Sequence, residues 1–122
     1  MSVAEAFRQW ITSDKVFTDH GRKVDNLPMP DSKRGAMVAH LEDLCGGEPE
    51  RRSFLKYVFG VSSSADLTCR QQNALYLWLA PQKVSSDPKD KRWVVSNPKA
   101  RATAGAVVDA AIVEAGQPEM TL

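Results

Sequence analysis

Long apolar runs are missing from this chain, and so are most of the residue groupings that build a reaction centre. No stretch approaches the roughly 20 consecutive apolar residues that cross a bilayer, so no membrane partner is expected. The opening Met1-Ser2-Val3-Ala4-Glu5-Ala6 lacks the basic stretch and apolar run of a secretory leader. There are two cysteines, Cys45 and Cys69, and two histidines, His20 and His40. Disulfide frameworks belong to small secreted chains with more cysteines, and no metal-ligand spacing joins these four residues. Free thiols in a reducing cytoplasm, with no metal and no other cofactor, are the expectation. A phosphate-cradling loop is missing too. Gly46-Gly47 precedes a helical pattern, but no strand comes before it and no lysine completes it.

Catalysis by the common routes needs a nucleophile beside a base, a carboxylate pair or a metal cage. Ser62-Ser63-Ser64 reads as caps and turns, His20-Gly21 as a turn, and His40 as a partly exposed structural histidine. Glu42-Asp43 reads as a solvated helix face. A protein that is not an enzyme is the expectation.

What is present is an ordinary globular composition. At 122 residues, 43% hydrophobic and 25% charged, the chain is expected to fold as one domain around one core. Helix signals dominate. Ser2 and Glu5 have capping-box spacing, and Val3, Phe7, Trp10 and Ile11 then share a helical face, with Ala6 beside them. Residues 15 to 30 read as loop, where a short hairpin would pair Val16-Phe17 with Lys23-Val24. A second helix follows Asp31 or Ser32 as N-cap, turns Met37, Val38, Leu41, Leu44 and Cys45 inward, and stops at Gly46. A third opens at Pro49 and buries Phe54, Leu55, Val58 and Phe59 before Gly60. Val61 and Leu67 read as plugs in an otherwise polar linker. Thr68 and Gln71 repeat the capping-box spacing and start a fourth helix, which Pro81 stops. The fifth begins at Asn97-Pro98 and runs through alanines to Gly116, with Val107, Val108, Ala111 and Ile112 as contacts. Gln117 to Leu122 are expected to fray.

Net charge is only +1, yet it is unevenly spread. Between residues 81 and 101, Lys83, Lys89, Lys91, Arg92, Lys99 and Arg101 face only Asp87 and Asp90. Such a stretch can neutralise phosphates, and a tryptophan within it can stack on a base. Lys83, Lys89, Lys91, Arg92, Trp93, Lys99 and Arg101 are therefore the candidate nucleic-acid-binding residues. Two roles compete for Trp93, stacking on a base and anchoring the segment to the core; the balance favours the anchor.

The stretch from Arg51 to Thr68, continued by Gln71, Leu75, Trp78 and Leu79, carries a further pattern. Phe59-Gly60-Val61, Ser63-Ser64, Asp66-Leu67-Thr68, Gln71 and Trp78-Leu79 resemble a small two-helix module of phage-encoded proteins. Those proteins act in DNA recombination, replication and the regulation of transposition, and the module is often appended to single-strand annealing proteins. The resemblance covers about a quarter of the chain, and its matching residues are structural ones. It implies a packed helix pair and a phage or mobile-element setting in DNA transactions. Here the module lies mid-chain, with no annealing or ATPase domain beside it.

The resulting expectation is an all-α bundle of about five helices, with a basic loop or short β-ribbon at 82–96; a winged-helix-like arrangement is the alternative. The expected function is a non-enzymatic accessory protein that binds DNA, single- or double-stranded, or a DNA-processing protein. The alternative function is a protein-interaction module, an oligomer-former or an inhibitor, motivated by the small residues of Ala100 to Ala115.

Overall fold

Five helices and one two-stranded ribbon account for the regular structure in the computed structural model, which describes residues 1–13 and 26–120, with side chains to residue 116. The helices are α1 (Val3–Ile11), α2 (Asp31–Cys45), α3 (Glu48–Phe59), α4 (Cys69–Leu79) and α5 (Pro98–Met120). A single 3-10 turn, Ser64–Asp66, sits between α3 and α4. The ribbon strands β1 (Gln82–Lys83) and β2 (Trp93–Val94) lie between α4 and α5. The bundle is adopted rather than the winged arrangement. The hairpin expected within residues 16–24 lies outside the described residues.

The caps explain most helix starts. Ser2 Oγ accepts the Glu5 N–H at 3.1 Å, and its own hydroxyl donates to the Glu5 carboxylate. Thr68 and Gln71 form the full reciprocal box, at 3.1 and 2.9 Å. Asn97 Oδ1 accepts from the N–H groups of Lys99 and Ala100. At α2 the expected cap is wrong by one residue. Pro30 occupies the cap position, and Asp31 is already helical, its carboxylate 2.6 Å from the Arg34 guanidinium. The far end of α5 also differs from expectation. Gly116 ends nothing, because a glycine stops a helix by turning to positive φ, and Gly116 does not.

The core is built on α5 and α3. Ala100, Ala104, Val107, Val108 and Ala111 form the buried stripe of α5, at the spacing of a single helical face. Small side chains there let the helix lie close to α3, its most extensive neighbour, and also to α1 and α2. Phe54 and Leu55 of α3 and Met37 and Leu41 of α2 are all but inaccessible to solvent. An aromatic cluster joins three helices: Phe7 lies 4.6 Å from Trp78 and 5.8 Å from Phe54, ring centre to ring centre, and Phe54 stacks on Trp78 at 5.9 Å. Leu67 plugs the linker as expected.

Several side chains sit differently from their sequence pattern. Val3 and Ile112 are exposed, and Met29, in a segment read as loop, is buried. Asn73 of α4 ties that segment down by donating to the Leu27 carbonyl at 3.2 Å. Glu42 and Asp43 lie on a solvated helix face, as expected, their side chains 42% and 77% exposed, and each also makes an ion pair. Glu42 pairs with Arg51 of α3, and Asp43 with Arg101 of α5, each at 3.4 Å.

Candidate nucleic-acid interface

The ribbon is where the chain's surplus positive charge is displayed. Pro81 cannot extend α4, and Ala80 turns the chain out in the left-handed region at φ 43°. Gln82 then pairs with Val94 and Lys83 with Trp93 in antiparallel register, while the Val84 N–H donates to the Arg92 carbonyl at 3.1 Å. Successive strand residues face opposite sides. Lys83 and Trp93 therefore share one face of the ribbon, and Gln82 and Val94 the other.

The tip is organised by its two acids. Asp87 accepts the Lys89 N–H at 2.9 Å, an Asx turn. Asp90 accepts the Ser85 hydroxyl, the Arg92 N–H and a two-pronged guanidinium contact from Arg92 at 3.0 and 2.9 Å. Those hydrogen bonds, led by the Arg92 side chain, hold the Asp90 carboxyl down at about 2, and the carboxylate in turn raises Arg92. Both acids thus shape the turn. Lys83, Lys89 and Lys91 are exposed and take part in no ion pair among the described residues.

Trp93 is 46% exposed. The core anchor of this segment is Val95, 8% exposed, two residues further along. The anchoring role expected of Trp93 is thereby corrected. The chain re-enters the bundle at Val95, past the ribbon, so the valine and not the indole is enclosed. Val84 and Val94 of the ribbon are exposed as well.

Of the seven candidate residues, the fold gathers Lys83, Lys89, Lys91, Arg92 and Trp93 on the ribbon. It separates Lys99 and Arg101, on the first turn of α5. Arg101 is drawn to Asp43 of α2, whereas Lys99 borders a cleft between α1 and α5. That cleft, of about 550 Å³, is floored by Phe7 and Trp78 and flanked by Trp10 and Ala6. Sequence reasoning missed it, because Phe7 and Trp78 lie far apart in the chain and each reads as core.

Elsewhere two titratable groups of α2 are shifted by burial. Burial is the main cause that pushes the Cys45 thiol up to about 12, so it stays protonated and inert. Burial also lowers His40, against the opposing pull of Asp43. Neither cysteine is in a disulfide. Among the described residues no group of three histidine, cysteine or acidic side chains is arranged to hold a metal ion, and no helix is long and apolar enough to cross a membrane.

Fold and surface together define a mostly helical bundle that projects a lysine-rich ribbon with an exposed tryptophan. Comparison of the chain with protein-family models, curated proteins and solved structures gives no match.

Proposed function

We propose that this chain is a non-enzymatic accessory protein that binds DNA through its ribbon. The carrying observation is the cross-strand pair Lys83–Trp93, both exposed, on a ribbon that also presents Lys89 and Lys91. A cation to neutralise a phosphate and a ring to stack on a base are the two elements of sequence-tolerant strand binding. The resemblance of residues 51–80 to the phage module supports a setting in phage or mobile-element DNA recombination or replication, in the cytoplasm.

Mobility-shift titration across salt tests this reading. Replacing Lys83, Lys89 and Lys91 together with alanine should weaken binding and flatten the salt slope, by roughly 0.7 to 0.9 per lost phosphate contact. Arg92 is kept, since Asp90 already holds its charge. Absence of binding to any DNA at low salt would overturn the reading.

A second reading is a protein-interaction module. Of the small residues of α5 that motivate it, Ala100, Ala104 and Ala111 are covered within the chain, whereas Ala102, Gly105 and Ala115 are exposed. The adjacent pair Ile112 and Val113, 59% and 61% exposed on α5, favours it as well. Light scattering of wild type and Ile112→Lys tests it; a strictly monomeric wild type at high concentration would remove the oligomer version.

A further inference from the structure

The cleft between α1 and α5 lies at the end of the ribbon's return path, and its chemistry matches part of a DNA strand. We propose that it receives one unpaired base of single-stranded DNA whose neighbouring backbone lies on the ribbon, so that the protein prefers single strands to duplex. This rests on the DNA-binding reading above and adds a strand preference to it.

Three observations carry the assignment. The first is size and lining: at about 550 Å³ the cleft is within the roughly 300–1,000 Å³ of small-molecule sites, and Phe7, Trp10 and Trp78 give it aromatic walls. Base stacking on such rings is sequence-tolerant because every base has a π-face. The second is charge. Among the described residues Lys99 is the sole ionisable one lining the cleft, and the first turn of α5 has no acid to offset its positive end. An apolar, aromatic floor under a cationic rim complements a base joined to a phosphate. The third is continuity. Trp93 and Lys99 are six residues apart, so their Cα atoms lie within about 22 Å, and buried Val95 pins the chain between them. A strand stacked on Trp93 needs only a few nucleotides to reach the cleft. Duplex bases would first have to be unpaired and unstacked.

Tryptophan fluorescence tests the proposal in the Trp93→Phe protein, where emission comes from Trp10 and Trp78. Octathymidylate should change that emission, and a hairpin duplex should not. Ala6→Phe, which fills the cleft from an exposed position on α1 without altering charge, should weaken octathymidylate binding roughly tenfold with an unchanged salt slope. If its melting curve reveals a damaged fold, Lys99→Gln serves instead, and should lower the single-strand slope by about 0.7. Octathymidylate binding unaffected by Ala6→Phe and Lys99→Gln would overturn the cleft assignment and leave the ribbon reading standing. No octathymidylate binding by the wild type, with duplex still bound, would also overturn the cleft alone; no binding of either overturns both. Self-association abolished by Ala6→Phe, with no response to octathymidylate, would identify the occupant as a second copy and sink the proposal.

Discussion

At Trp93 the difference between an exposed ring and a core anchor is directly measurable. Alanine there should lower the melting temperature much less than emptying a fully buried tryptophan site, which costs about 3–5 kcal/mol, because the ring is 46% exposed. The same substitution should cost about 1–3 kcal/mol of single-strand affinity. Thermal unfolding beside a binding titration reads both, and a large stability loss with unchanged affinity would contradict the exposed placement. Asp90 supplies a second test. Its carboxyl is held at about 2, chiefly by Arg92, below the ordinary aspartate value. A depressed carboxylate contributes stability that is present above the ordinary value and lost as pH falls through about 2. The ribbon tip should therefore keep its shape in mild acid, and NMR titration of the Asp90 carboxyl should place its midpoint near 2. Asp90→Asn should free the Arg92 cation, so the salt slope of DNA binding should steepen. These residues show how far the sequence reaches. The clustering of Lys83, Lys89, Lys91 and Trp93 is legible because they are close in the chain. That Asp90 neutralises Arg92, and that Asp43 reaches Arg101, depends on turn geometry and helix packing that composition does not encode.

Helix boundaries were legible wherever a side chain caps them. Thr68-Gln71 and Asn97-Pro98 mark the starts of α4 and α5 through local hydrogen bonds, so a few residues suffice to read them. The start of α2 was misplaced because Asp31 finds Arg34 one turn on and leaves the cap to Pro30. Two helix ends pose a matched problem. Gly60 closes α3 at φ 74°, and Ala80 closes α4 at φ 43°. A Cβ added at Gly60 would meet no neighbouring atom, so Gly60→Ala isolates the backbone cost of the left-handed region. A loss of about 1 kcal/mol is expected, or roughly 4 °C in melting temperature for a chain of this size. Ala80→Gly should relieve the corresponding strain and raise stability modestly. Differential scanning calorimetry of the two variants should move the melting point in opposite directions; parallel shifts would refute the account.

Across the whole molecule, α5 and α3 are the joint around which the other helices assemble. Ala104 is fully buried there, and Ala104→Leu should force the helices apart at a cost of about 1–3 kcal/mol or more. Denaturant unfolding checks this, and a neutral result would mean that the interface has slack. Phe7 and Trp78 could be foreseen as core but not as the floor of a cleft, because the adjacency of two distant helices is a tertiary fact. The ribbon stands outside this joint. It touches the core through Val95, and its strands are two residues each. It can therefore open while α3 and α5 stay together, as low-stability segments do. Backbone amides at Val84 and its neighbours should trade hydrogen for deuterium much sooner than those of α3. The same independence leaves the ribbon free to change in length and sequence while the bundle keeps its stability, so what this surface recognises can diverge between descendants that fold alike.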